Sequence, residues 1–209
     1  LDSEQATGPG AGTRYGLNIP NPRFGIRANE DKIEAWDWPG DRKVTITVDD
    51  PATLAKPDYT SGSMSWDFED QHQVLYLSAE VDIKVGDTVT VTDGIDTLTV
   101  LVSPLTFTSI DKASDTVTGI ADPSARVNVW ACDSDGVCAY RELTAGEDGV
   151  WVAYFNQPGF LDYEQATMDL IEGTWLDSEQ TTGPGAGTRY GLNIPNPRFG
   201  IRTNEDKIE

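Results

Sequence analysis

Apolar and polar side chains alternate residue by residue along most of this chain: Val44, Ile46 and Val48 fall on one side of a pleat, Thr45 and Thr47 on the other. A period of two built from Val, Ile and Thr is the pattern of a strand with one buried and one wet face. Gly, Pro, Asp or Asn breaks the runs every 8 to 12 residues. The breaks predict strands over residues 13–19, 24–27, 32–38, 43–49, 74–80, 88–92, 97–102 and 105–110, and then over 116–121, 126–132, 137–143 and 150–155. Only residues 163–171 (YEQATMDLI) look helical, enough for one turn in a connection. About fourteen strands with almost no helix make an all-β chain of sandwiches with Greek-key links.

Two hairpins can be placed from turn chemistry. In VTVTDGIDTLTV, Asp93-Gly94 sits between alternating runs, and glycine supplies the positive φ of a tight turn. In CDSDGVC, a three-residue loop Ser134-Asp135-Gly136 with Gly136 left-handed would set Asp133 against Val137 and Cys132 against Cys138. Cross-strand Cα atoms about 5.5 Å apart are within disulfide reach. A Cys132–Cys138 disulfide is therefore expected, and with it an oxidising compartment. The alternatives are two free thiols or a two-thiolate metal site, and with His72 the only histidine a zinc site lacks its other ligands.

The chain also repeats itself. Residues 1–34 and 176–209 agree at 32 of 34 positions, at an offset of 175. The differences, Ala6 against Thr181 and Ala28 against Thr203, mark two separately encoded copies. A solenoid unit has roughly 20–50 residues, so a period this long should hold whole domains. Ile19-Pro20-Asn21-Pro22 recurs as Ile194-Pro195-Asn196-Pro197. Two prolines flanking Asn make a stiff, extended joint. With a second boundary near Pro104, the chain divides into a closing strand of a preceding repeat (1–20), sandwich domain A (21–103), sandwich domain B (104–195) and the start of the next domain A (196–209). Tyr190, Leu192 and Ile194 are then the closing strand of domain B. Beads on a string are expected, with the terminal segments docking on neighbouring copies through covalent continuation or strand addition.

Charge narrows the partners. The chain carries a net charge of −20, and one period, with 11 basic and 30 acidic residues, carries −19. That excludes nucleic acid and anionic membrane as natural partners and keeps a crowded array soluble. No stretch of 18 apolar residues occurs, so no membrane insertion is expected.

Signals for chemistry are few. One histidine leaves no Ser-His-Asp or Cys-His set, and 35 carboxylates make any paired spacing uninformative, so no enzyme is expected. TGPGAGT, at residues 7–13 and 182–188, lacks the Lys-Ser/Thr ending of a phosphate loop and reads as a flexible surface loop. No cofactor is required. Calcium is the one candidate, at Asp133 and Asp135 of an Asp-x-Asp-Gly turn or at Asp49-Asp50. The competing reading is that Asp and Gly simply make the turn. Trp36 and Trp38, two apart on one strand face, with Trp66 near them, would form an aromatic platform for glycans. The competing reading for them is core or domain-junction packing. Outward threonines (Thr45, Thr47, Thr88, Thr90, Thr92, Thr97, Thr99) suit strands by β-branching, and they are the glycosylation candidates because no Asn-x-Ser/Thr occurs.

The phrases KVGDTVTVTDG, GIADPSARVNVWA and GEDGVWVAYF resemble the strand and turn phrases of bacterial immunoglobulin-like repeats, and NPRFGIR followed by EAWDWPGD resembles a recurring phrase of long repetitive bacterial surface and extracellular filament proteins. Val85 stands where proline is usual and Ser124 where glycine is usual. The resemblance implies two immunoglobulin-like β-sandwich domains per 175-residue repeat, arranged in tandem. It further implies an extracellular or cell-surface stalk, adhesin or filament segment, without catalytic residues. A carbohydrate- or cell-surface-binding module is the alternative.

Overall fold

In a computed structural model, residues 20–40, 42–62, 72–77 and 80–195 are described in full, and residues 2–8, 11–16, 64–65, 201–202 and 207–208 as strand backbone. The described residues are all-β. Strands β1 (Asp2–Gly8) and β2 (Ala11–Gly16) form a hairpin. The next strands are β3 (Arg23–Arg27), β4 (Lys32–Trp36), β5 (Lys43–Asp49), β6 (Tyr59–Thr60), β7 (Met64–Ser65) and β8 (His72–Tyr76). They are followed by β9 (Thr88–Thr92), β10 (Thr97–Leu101), β11 (Thr106–Asp111), β12 (Thr116–Ile120), β13 (Arg126–Cys132), β14 (Cys138–Thr144) and β15 (Val150–Tyr154). The last are β16 (Trp175–Gly183), β17 (Ala186–Asn193), β18 (Ile201–Arg202) and β19 (Lys207–Ile208). The helical-looking stretch contributes a single 3-10 turn, Asp162–Glu164.

Among the described residues, two cores lie along the chain. Phe24, Ile33, Val44, Ile46, Val89 and Val100 belong to the first, where strands β5, β9 and β10 pack on β3 and β4. The second holds Val117, Val127, Val129, Trp151, Phe155 and Leu176, with β11, β12 and β15 packed on β13 and β16. In both, period-two alternation decides which side chains go in: β5 has the burial pattern expected of Val44, Ile46 and Val48 inside and Thr45 and Thr47 half-buried outside.

The cores are not separate beads. One seven-stranded sheet, in the order β14-β13-β16-β17-β3-β4-β8, runs under both. Its continuity depends on a parallel pairing of β17 with β3, in the register Ala186 with Phe24, Gly187 with Gly25 and Thr188 with Ile26. Ala186, far in sequence from the rest of the first core, which ends at Val102, is buried in it. Among the described residues, every other strand pair is antiparallel.

Two sequence expectations change here, and one strand forms where none was expected. TGPGAGT at residues 182–188 is not a flexible surface loop: it is the tight end of the β16–β17 hairpin, with Gly185 at φ +74° accepting a hydrogen bond from the Phe24 N–H at 2.9 Å. Residues 32–38 are not one strand, because Asp37 adopts φ +57° and ends it at Trp36. Residues 175–183, which no alternation announced, form the longest described strand. Of the two Pro-Asn-Pro joints, Pro20, Asn21, Pro22 and Pro195 are described and lie outside any strand, whereas Asn196 and Pro197 lie outside the described residues.

Candidate functional site: a charged seam across one sheet

On the outer face of the shared sheet, the parallel pairing is covered by charge. Arg27 (β3) donates two parallel hydrogen bonds to Asp177 (β16), Nη1 to Oδ1 and Nη2 to Oδ2, both 2.8 Å. Its Nε donates to Glu34 Oε2 (β4) at 3.0 Å. Arg189 (β17) mirrors it: Nη2 donates to Asp177 Oδ2 and Nη1 to Glu34 Oε2. Lys32 Nζ completes the group, 3.4 Å from Glu34 Oε1 and 2.8 Å from Glu30 Oε2. Across four adjacent strands the two guanidiniums, on β17 and β3, are thus flanked by the two carboxylates, on β16 and β4, and the planar fork of Arg matches a carboxylate two bonds at a time.

The cluster is buried: Arg27 is 3% exposed and Asp177 6%. Burial opposes the charge of Arg27, yet the hydrogen bond and charge of Asp177, then those of Glu34, hold its pKa above the ordinary value. Burial likewise pushes the Glu34 carboxyl up, and the charges of Arg27, Arg189 and Lys32 outweigh it, so Glu34 titrates below the usual glutamate range. Aromatic rings flank the charges: the Arg27 guanidinium lies 5.7 Å from the Trp175 ring centroid and that of Arg189 5.2 Å from Trp36.

Glycine makes the close approach possible. A Cβ on Gly25 would lie 2.5 Å from Arg189 Cδ, and one on Gly191 would lie 2.5 Å from Arg27 Nη1 and 2.7 Å from the Trp175 ring. The inner face is tied as well, by a hydrogen bond from the Ser103 N–H to Thr188 Oγ1 at 2.9 Å.

Of the sequence-derived candidates, Trp36 flanks the seam and the other described ones fall elsewhere. Cys132 and Cys138 are joined by a disulfide, in register opposite each other, with Gly136 at φ +80° in the loop. Their Cα atoms are 4.1 Å apart instead of about 5.5 Å, because Asp133 and Val137 make the ladder hydrogen bond and leave the cysteines in the narrow, non-bonded position. Asp133 Oδ1 accepts the Asp135 and Val137 N–H groups, both at 2.9 Å, so the turn itself uses that oxygen. Among the described residues, no three His, Cys, Asp or Glu side chains converge as metal ligands.

The tryptophans do not share a face. Trp38 is in the first core and donates through Nε1 to the Arg23 carbonyl at 3.1 Å, whereas Trp36 is on the outer face. There His72 stacks against it from β8, at 5.4 Å and 4° between planes, while Arg189 reaches it from the β17 side. Trp66 lies outside the described residues. Trp36 borders an open groove of about 470 Å³ whose lining includes Arg23, Glu179 and Arg189. The threonines form a cross-strand ladder, with Thr90 and Thr99 hydroxyls 3.0 Å apart and those of Thr92 and Thr97 2.8 Å apart.

No seam residue was singled out from sequence, yet Arg27, Glu34 and the counterparts of Asp177 and Arg189, Asp2 and Arg14, all lie in the stretch that occurs twice. That stretch encodes both halves of the seam, and the doubling was the signal.

No protein-family profile and no curated protein sequence matches the chain. Among solved structures, it is similar to the BSP domain of a biofilm-associated protein, at 12% identity and TM-score 0.29, covering 85% of this chain and 30% of that one. It is also similar to a tetra-tandem repeat in the extending region of a large adhesion protein, at 17% identity and TM-score 0.31, covering 88% and 51%. A two-domain fibronectin type III segment of chicken tenascin is similar at 11% identity and TM-score 0.27, covering 85% and 96%. The chain spans less than two thirds of the length of the first two.

Proposed function

We propose that this chain is a structural tandem repeat of an extracellular or cell-surface fibre, stalk or adhesin, without catalytic activity. Each 175-residue period is read as two immunoglobulin-like sandwiches, residues 21–103 and 104–195, locked side by side and joined head-to-tail to neighbouring copies. The observation that carries this reading is the seam: its buried groups bond to one another and lock the two halves of a period together. An acidic surface that stays hydrated and a disulfide-pinned hairpin suit a load-bearing element outside the cell.

Imaging of the native material tests it. The reading expects a thread or stalk at the cell surface with a regular axial repeat, and soluble protein inside the cell with no such repeat would refute it. The groove beside Trp36 is what favours the alternative, a glycan-binding module. Because His72 and Arg189 already take the indole faces, a sugar would have to meet its edge. Loss of glycan retention on Trp36→Ala with assembly intact would move the assignment there.

A further inference from the structure

The two terminal hairpins reproduce the two sides of the seam. Strands β1 and β2 pair Asp2 with Gly16, Ser3 with Tyr15, Glu4 with Arg14 and Gln5 with Thr13. Strands β16 and β17 pair Asp177 with Gly191, Ser178 with Tyr190, Glu179 with Arg189 and Gln180 with Thr188, each 175 positions on. The bulge recurs too, between Ala6 and Gly8 in one and Thr181 and Gly183 in the other. At the other end, Ile201 pairs with Ile208 and Arg202 with Lys207, as Ile26 pairs with Ile33 and Arg27 with Lys32. Among the described residues, each terminal hairpin is an isolated two-stranded sheet, whereas its internal twin is embedded in seven strands.

The first hairpin cannot dock on the β3 that follows it. That site is already filled by β17. Geometry forbids it as well: parallel neighbours need a connection of about a dozen residues or more, and β2 ends at Gly16 while β3 begins at Arg23. A hairpin of this sequence therefore needs a β3-type strand from elsewhere. The parallel register also sends the two ends of the body apart. Arg23 sits at the Ala186 end of β17, and the chain leaves β17 at Asn193, the far end of the strand.

We infer that the seam inside the molecule is also the contact between copies: the β1–β2 hairpin of one copy pairs in parallel with the β18–β19 hairpin of a second copy, Thr13 beside Ile201. This rests on the structural-repeat reading and specifies its joint. Asp2 takes the place of Asp177, Arg14 that of Arg189 and Arg202 that of Arg27, so the joint carries its own bidentate ion pair. A neighbouring period of a longer chain would meet the same surface in the same way.

The test is sedimentation of the full 209-residue chain over rising concentration, with Asp2→Arg and Arg202→Asp variants. The wild type is expected to form concentration-dependent linear oligomers. Each variant alone sets like charges against each other and should raise the apparent dissociation constant at least about tenfold. An equimolar mixture of the two should restore association, since each copy then meets an opposite charge at both ends. An unchanged unfolding midpoint of the body serves as the folding control. A folded wild type that stays monomeric at all concentrations would overturn the inference, and so would association that ignores both reversals. A native surface thread built from such monomers would leave the structural role standing and remove only this joint.

Discussion

Arg27 is buried with no room to rearrange: three of its nitrogens bond to Asp177 and Glu34, and its guanidinium approaches Trp175. Removing one partner leaves the other charge desolvated and unpaired, which is where most of the cost of breaking a buried pair arises. Asp177→Ala should destabilise the fold by about 3–5 kcal/mol, read from chemical denaturation. An Arg27→Met, Asp177→Leu double variant, which removes both charges and keeps apolar bulk, should recover part of that loss. Gly191→Ala should cost about 1–3 kcal/mol, because its methyl meets a pinned guanidinium and an indole ring.

Glu34 sets an acid limit on this group. Its folded-state pKa is depressed, so its contribution is complete above the ordinary glutamate range and is lost as the pH falls through the depressed value. Stability measured from neutral pH downward should decline in that window, and Glu34→Gln should flatten the decline there. None of these roles could be read from a single charged residue. Arg27 and Asp177 are 150 positions apart, and nothing local marks them as partners.

Among the elements, legibility followed burial. Strands with one wet face showed their alternation: β5, β9 and β13 begin and end where the pattern of Val and Thr places them. Strand β16 did not, because WLDSEQTTG is polar on both faces. Residues 176–178 and Gln180 are buried nonetheless, and the buried polar groups are satisfied one by one. Ser178 Oγ donates to the Tyr190 carbonyl at 3.1 Å, Gln180 exchanges hydrogen bonds with Asp122, and Asp177 faces the arginines. A strand that joins two halves through hydrogen bonds has no apolar signature to read.

Another connection is fastened the same way. Arg141 is 4% exposed and donates to the carbonyls of Tyr154, Tyr140, Glu164, Gln157 and Ala166, which fixes the segment between β15 and β16. The β13–β14 hairpin was legible down to its register, from turn chemistry and cysteine spacing alone. Its disulfide closes a short loop, so reduction should cost only about 2 kcal/mol by loop entropy. Strand β13 is also held by β16, so far-ultraviolet circular dichroism should be unchanged on reduction while the unfolding midpoint falls.

For the whole molecule, the pairing of β17 with β3 is what turns two cores into one body. Sequence periodicity supplied the period, the strands and the position of the Pro-Asn-Pro segments. It could not supply a parallel contact between the start and the end of that period, because such a contact depends on three residue pairs and a buried ion cluster. Closing each period on itself also explains why one 34-residue stretch carries both sides of the seam. The hairpin finishes one period and the strands after it open the next.

Cross-strand nuclear Overhauser contacts in the isotope-labelled chain test the parallel seam directly. Contacts linking Gly25 and Ile26 to Gly187 and Thr188 are expected, together with slow exchange of the Phe24 amide that bonds to Gly185. An intact β16–β17 hairpin with none of those contacts, and a Phe24 amide that exchanges freely, would mean two independent sandwiches and would contradict it.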